Sequence, residues 1–317
     1  MTPLLFELSA APGLAARLSE RLPCDLGKHS TRHFPDGETF LRFDTPADGR
    51  DVIMLCTLDR PDPKLAPLLF AARAARENGA RSVGLVAPYL AYMRQDTDFH
   101  RGEVVTSRLF ARVISEQFDW LVTIDPHLHR YRTLGAIYDI PAIAATATDA
   151  IADWIRDNVN DPVIIGPDQE SRQWVDRVAA RAQTRSIVLT KNRSGDFSVS
   201  IDPAALEHLQ SGTAVLIDDI ASSARTLIEA AELVKRSGRQ APVCAVVHAI
   251  FAGDSYERLQ EVGVPRVVST NSVAHESNAI DVSDALATAI REVLGSAGTT
   301  LVAGKHRGDH HPELRER

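Results

Sequence analysis

Short unbroken apolar runs alternate along this chain with longer stretches in which apolar residues recur at helical spacing. The runs predict strands over residues 4–8, 52–56, 82–87, 120–124, 163–165, 186–189, 214–217, 243–249 and 266–269. The helical spacing predicts helices over 12–22, 64–78, 106–118, 147–158, 173–182, 224–237 and 255–262. Strands that are apolar throughout, rather than on alternate residues, belong to parallel sheets covered by helices on both faces. The strand–helix rhythm runs twice, before and after about residue 145. The fold class is therefore α/β, with two domains of similar plan over 1–145 and 146–295. No residue-level repeat accompanies that architectural one. The tail, 296–317, is polar and rich in His and Arg, and is expected to be loosely ordered. Residues 36–44 break the rhythm. Glu38, Phe40, Arg42 and Asp44 alternate with other types there, which predicts an exposed hairpin or an edge strand.

A length of 317 residues suits one large or two medium domains, and the repeated rhythm selects two. A net charge of −7 argues against a nucleic-acid binder that works through overall charge. No apolar stretch approaches the roughly 20 residues of a membrane helix, so no membrane partner is expected. The first residues lack a basic segment ahead of an apolar one, so no secretory signal is expected either. Cys24, Cys56 and Cys244 are odd in number and scattered, which fits core residues in a reducing cytoplasm rather than metal ligands.

The chemistry gathers where predicted strands end. Residues 214–228 read AVLIDDIASSARTLI: a strand, the acid pair Asp218 and Asp219, a small hydroxyl-rich loop, then Arg225, Thr226 and a helix. Unpaired amides at a helix start can hold a phosphate. The acids just before them can hold sugar hydroxyls or a magnesium ion, and a phosphosugar needs both. The plainer alternative is an ordinary turn with Ser222 or Ser223 capping the helix.

Residues 87–96, APYLAYMRQD, crowd Tyr89, Tyr92, Arg94, Gln95 and Asp96 at the carboxyl end of a strand, where ligands of open α/β sheets bind. Arg94 offers a planar fork of donors to phosphate oxygens. In 123–132, TIDPHLHRYR, a strand again ends before Asp125, His127 and His129, residues able to ligate a metal or hold phosphate. In 163–172, VIIGPDQESR, Asp168 and Glu170 precede a helix; a metal or ribose role and a simple electrostatic role at the helix start are both open. Lys191 and Arg193 follow another strand and lead to Gly195, Asp196 and Ser198. They suit either a lid that closes over a polyphosphate or a solvated hairpin tip. No Walker, Gly-x-Ser-x-Gly or Gly-x-Gly-x-x-Gly pattern occurs.

Taken in order, FPDGE at 34–38, PYLAYMRQD at 88–96, DPHLH at 125–129, GPD at 166–168, KNR at 191–193, IDDI at 217–220 and SNAIDVS at 277–283 resemble the ribose-phosphate pyrophosphokinase family. They span nearly the whole chain, and the FPDGE and RQD matches are the most specific. Arg101-Gly102-Glu103 follows RQD with little insertion, so the chain looks closer to compact archaeal-like members than to the longer bacterial form. The resemblance implies two tandem phosphoribosyltransferase-type domains, each a largely parallel sheet flanked by helices. It implies transfer of the diphosphoryl group of ATP to the anomeric hydroxyl of ribose 5-phosphate, giving phosphoribosyl pyrophosphate and AMP. ATP would lie against Arg94, Gln95 and Asp96, and against Phe34, Asp36 and Glu38 of a neighbouring subunit, which makes the chain a homodimer or a higher assembly. His127 and Asp168 would organise Mg2+. Asp218 and Asp219 would hold the ribose hydroxyls, and Ser222, Ser223, Ala224, Arg225 and Thr226 the 5-phosphate. Lys191 and Arg193 would clamp the transferring phosphates.

Two loops depart from the family pattern. Its phosphate loop usually reads Asp-Thr-Gly-Gly-Thr, against Ser222-Ser223-Ala224-Arg225-Thr226 here. Its Asp-Ala-Gly-Gly ribose loop is here Asp168-Gln169-Glu170-Ser171. Glycine is what lets a loop take positive φ or approach a ligand closely. The altered loops therefore keep three rival readings in view: a diphosphokinase for a different phosphosugar, a non-catalytic regulatory relative that binds nucleotide, and a phosphoribosyltransferase.

Overall fold

Apolar side chains on both faces drive the strands into the interior, where they pair in parallel under helices. The computed structural model describes residues 1–98, 100–169, 171–189, 191–194, 198–201 and 212–300. Expectations for Glu170, Gly195, Asp196 and residues 301–317 lie outside the described residues. The first half runs β1 (Leu4–Ser9), α1 (Leu14–Arg21), β2 (Asp25–Leu26), β3 (His29–His33), β4 (Thr39–Phe43), β5 (Asp51–Cys56), α2 (Asp62–Glu77), β6 (Ser82–Ala87), α3 (Thr106–Gln117), β7 (Trp120–Ile124), β8 (Ala142–Ala145) and α4 (Thr148–Asn158). The second runs β9 (Pro162–Gly166), α5 (Arg172–Ala182), β10 (Arg185–Val188), β11 (Lys191–Ser194), β12 (Ser198–Ile201), β13 (Thr213–Ala221), α6 (Arg225–Arg236), β14 (Val243–Ala249), α7 (Ser255–Glu261), β15 (Arg266–Thr270), β16 (Asn278–Ile280) and α8 (Ser283–Thr300).

The two six-stranded sheets have orders β2-β1-β5-β6-β7-β8 and β10-β9-β13-β14-β15-β16. Every pairing within them is parallel. The orders match position for position. Each half also inserts one antiparallel hairpin after its second strand: β3–β4 in the first, β11–β12 in the second. The hairpin expected near residues 36–44 is thus found, with its turn in the FPDGE segment.

The halves share one core. Leu5, Ile53 and Val122 belong to the same buried cluster as Ile164, Val215 and Val247. Separate clusters under α2–α3 and α6–α7 cover the outer faces. The last helix of each half crosses to the other: α4 lies against α5 and β16, and α8 against α1, β7 and β8. Leu286, Ile290 and Val293 of α8 are buried in that shared core. At the rim, Arg21 Nε donates to Asp284 Oδ1 at 2.5 Å, and Arg291 Nη1 donates to the Arg21 carbonyl at 2.9 Å. The span 146–295 is therefore one stretch of sequence whose final helix packs on the opposite half, and that helix continues beyond 295 to Thr300. No helix among the described residues is long and apolar enough to cross a membrane.

Candidate active site

Strand β13 builds the centre of the site. Its apolar run ends at Ile217, and the sequence places Asp218 and Asp219 beyond the strand. The strand in fact continues to Ala221, because Asp218, Ile220 and Ala221 still pair with Val246, His248 and Ala249 of β14. On the other side, pairing with β9 ends at Leu216. Both acids therefore sit on backbone held extended along one edge and open on the other.

They face a cleft of about 300 Å³ between the halves. Arg94, His127 and His129 enter it from the first half; Asp168, Asp218, Asp219 and Thr226 enter from the second. Ser171, Trp174 and Ile220 complete the wall; Ser171 lies in the loop read from sequence as the ribose loop, and Trp174 was not singled out. A larger groove of about 650 Å³ lies between β8, α4 and α8. The acids on its rim already hold arginines: Asp284 holds Arg21, and Asp149 and Asp153 hold Arg181.

His127 Nδ1 lies 3.0 Å from Asp219 Oδ2, and His129 Nε2 lies 3.1 Å from the same His127 nitrogen. The metal pair expected from the resemblance was His127 with Asp168. Asp168 shares the cleft, but the nearest ligand-type atoms to His127 belong to His129 and Asp219. Asp168 is fixed by its own turn: Oδ1 accepts from the Ser171 amide at 3.2 Å, and its carbonyl accepts from Ser171 Oγ at 2.7 Å. Gly166 permits that turn, since a Cβ there would come within 2.5 Å of Ser171 Oγ and 2.7 Å of Val175 Cγ2.

The acid pair is electrostatically unequal. Burial, with Asp219 and Asp168 close by, pushes the Asp218 carboxyl well above its ordinary range. Burial also works against the charge on Asp219, but the hydrogen bond and positive field of His127 outweigh it and hold that carboxyl low. Behind them lies fully buried His248, which was not legible as a site residue because it sits inside an apolar strand. Its Nδ1 meets Ser272 Oγ at 2.9 Å, and its Nε2 reaches across the junction to the carbonyls of Ile124 at 3.2 Å and Asp125 at 3.4 Å. A carbonyl only accepts, so Nε2 carries the proton. Burial drives this imidazole down to about 4. Asp125, just before His127, has φ 30°, a left-handed value unusual outside glycine. Burial pushes its carboxyl up to about 6, countered in part by the Ala147 amide that donates to Oδ2 at 2.7 Å.

The other expected site residues divide. Of the RQD triplet only Arg94 lines the cleft. Gln95 Oε1 accepts from Thr106 Oγ1 at 3.0 Å, and Asp96 Oδ1 accepts from Arg130 Nε at 3.2 Å, so both brace neighbouring loops. Phe34, Asp36 and Glu38 are exposed at the β3–β4 turn and do not line this cleft. Asp36 Oδ1 accepts from the Glu38 amide at 3.1 Å, and the Arg32 guanidinium lies 4.7 Å from the Phe34 ring centre. Helix α6 starts at Arg225 with Ala224 at its N-cap, φ 51°, and no side chain caps it. Ser222 and Ser223 are thus not the cap that the plainer reading expected. Thr226 lines the cleft, while Arg225 points out and pairs with Glu229 at 3.4 Å. Lys191 and Arg193 lie on β11, paired with Ile201 and Val199 of β12.

Comparison with known proteins gives concordant results. The family described as the N-terminal domain of ribose phosphate pyrophosphokinase matches residues 4–117. The phosphoribosyl transferase domain family matches residues 133–287. A ribose-phosphate pyrophosphokinase of Methanopyrus kandleri is 32% identical over 284 residues, which cover 89% of this chain and 96% of that one. One of Methanobrevibacter smithii is 29% identical over 296 residues, with coverage of 90% and 98%. Among solved structures, phosphoribosylpyrophosphate synthetase from Mycobacterium smegmatis is similar in fold, with a TM-score of 0.80 at 23% identity over 93% of this chain and 100% of that chain.

Proposed function

The chain belongs to the ribose-phosphate pyrophosphokinase family, and from that footing we propose how its cleft carries out the family's reaction. It is an enzyme that moves the diphosphoryl group of ATP onto the anomeric hydroxyl of ribose 5-phosphate. A bond forms between that oxygen and the β-phosphorus, the bond to the α-phosphate oxygen breaks, and AMP leaves. The observation that carries the reading is the meeting of Arg94 and His127 from one half with Asp218, Asp219 and the uncapped start of α6 from the other.

On this reading Asp218 and Asp219 hold the ribose hydroxyls, and the amides at the start of α6, with Ser222 to Thr226, hold the 5-phosphate. Arg94 takes ATP phosphate, with Gln95 and Asp96 fixing its loop. Lys191 and Arg193, on the β11–β12 hairpin, close over the transferring phosphates. Phosphoryl transfer depends chiefly on alignment and charge neutralisation, so no strong dedicated base is needed. The donor set suits a hard cation: Asp168, Asp218 and Asp219 bring carboxylate oxygens to one cleft, as magnesium prefers. Asp168, with His127 beside it, would hold Mg2+, which neutralises the phosphates when bound. Phe34, Asp36 and Glu38 are exposed away from their own cleft, which supports their serving the ATP site of a second copy. The described cysteines are unpaired, in keeping with a cytoplasmic enzyme.

The test is AMP formation from ATP and Mg2+ with ribose 5-phosphate present or absent. AMP that appears only with the sugar, alongside phosphoribosyl pyrophosphate, is the expected result. ATP binding without AMP would point to a regulatory relative, and AMP only with another phosphosugar would change the acceptor.

A further inference from the structure

We infer that Trp174 selects the acceptor sugar: its indole N–H donates to the oxygen of a ribose hydroxyl whose own proton goes to the acid pair. The inference rests on the proposed assignment of Asp218 and Asp219 to the ribose hydroxyls. It adds a specificity-determining residue from outside the β13 loop.

The argument starts from one atom. Trp174 Nε1 is buried and has no hydrogen-bond acceptor among the described residues. An indole N–H can only donate, and a buried donor left unpaired is costly. Trp120 Nε1 is in the same state, but Trp120 is enclosed in the core against Gly84. Trp174 is only part-buried: it packs on the shared core and also lines the cleft. An acceptor for its N–H therefore comes from what fills that cleft.

The fold sets this residue beside the acid pair. Trp174 lies in the first turn of α5, directly after the Asp168 turn, and its amide donates to the Ser171 carbonyl at 3.1 Å. β13 carries Asp218 and Asp219 past the last residue that pairs with β9, so their open edge faces the β9 side of the cleft. The start of α5, which follows β9, stands on that same side.

Donor and acids complement each other around a hydroxyl. A hydroxyl brings one proton and two lone pairs. A carboxylate only accepts, so the hydroxyl's proton goes to the acid pair and its lone pairs need a donor. The neighbouring donors are committed: Ser171 Oγ donates to the Asp168 carbonyl at 2.7 Å, and His127 Nδ1 lies 3.0 Å from Asp219 Oδ2. Arg94 is charged and suits phosphate oxygens. The indole N–H is neutral and held by the packing of its ring, which suits a sugar hydroxyl rather than a phosphate. A sugar that lacks this hydroxyl leaves the N–H unpaired and is rejected for that reason.

The test measures the binding of ribose 5-phosphate and of its 2-deoxy and 3-deoxy analogues to the full chain by calorimetry in Mg2+. Three forms are compared: the parent, Trp174→Phe, and a chain carrying β-(3-benzothienyl)alanine in place of Trp174. The last keeps the ring shape and has sulfur where the N–H was. The parent's preference for ribose 5-phosphate over one of the two analogues should fall about 10- to 100-fold in both altered chains, as expected when the penalty of an unpaired buried donor disappears. A merely structural role would weaken all three sugars alike; a preference unchanged for both analogues overturns the inference. If Trp174→Phe does not fold, the benzothienyl chain decides. AMP formed from ribose 5-phosphate with an unchanged preference removes the role of Trp174 and leaves the proposed reaction standing. A shifted preference without AMP does the reverse, and a parent that does not bind ribose 5-phosphate overturns both.

Discussion

Asp218 and Asp219 are neighbours in sequence but not equals in charge. Asp219 is held ionised by His127, whereas Asp218 is pressed toward its protonated form by burial and two carboxylates. Asp219→Asn removes the better anion and should lower turnover by about 10²–10³-fold, a loss comparable to that of one preorganised charge-stabilising group. Its circular dichroism and melting should match the parent's; a collapse of the fold would make Asp219 a structural residue. His248 yields a stability prediction. Its imidazole is neutral when folded, titrating near 4, against about 6.5 in the unfolded chain. Between those values the unfolded state binds more protons. The stabilisation is therefore full above about pH 6.5 and is lost as pH falls toward 4, by about 3 kcal/mol in all. His248→Gln keeps an N–H donor and does not titrate. The stability gap between parent and variant, measured by urea unfolding, should therefore move by about 3 kcal/mol in the variant's favour from pH 7 to pH 4. A gap that does not change with pH would refute the buried, uncharged state. The acid pair was legible in sequence because charged residues at the end of an apolar run stand out. His248 was not, because a histidine within an apolar run carries no local sign of the carbonyls it reaches across the fold.

At the scale of elements, continuous apolar runs gave the central strands to within a residue or two, as expected for strands buried on both faces. β2, β8 and β16 escaped: two are two or three residues long, and β8 is the alanine-rich Ala142–Ala145. The extension of β13 escaped for another reason. Its last residues are polar, and only pairing with β14 keeps them extended. The turn after β9 shows how tightly an element end can be specified. Gly166→Ala would drive a methyl group into Ser171 Oγ and Val175. A loss of about 1–3 kcal/mol is expected from that overpacking, together with weaker Mg2+-dependent activity as Asp168 shifts. Unchanged melting would mean that the turn relaxes without cost.

For the whole molecule, the reciprocal packing of α4 and α8 left no trace in the sequence, because the contacts of α8 with α1, β7 and β8, and of α4 with β16, join residues more than a hundred positions apart and have no periodicity of their own. A fragment of residues 1–160 keeps α4 but lacks the helix that covers α1, β7 and β8. Expressed alone it should aggregate, and co-expressed with residues 161–317 it should be recovered as a soluble pair. A soluble, folded 1–160 fragment would contradict the exchange. The exposed FPDGE turn argues for a second kind of association. If it completes a neighbour's ATP site, specific activity should fall on dilution below the dimerisation constant, whereas a verified monomer of full activity would exclude that role.

The exchanged helices have one more consequence. Each half already holds the other through its last helix, and the direct connection from α4 to β9 is only residues 159–161. That link adds little to the shape. What it adds is stoichiometry. Arg94 and His127 come from one half, and Asp168, Asp218 and Asp219 from the other. Two unlinked halves of such similar plan could pair like with like, giving clefts with two sets of basic groups or two sets of acids, and neither could align both substrates. Synthesis as one chain gives every molecule one of each.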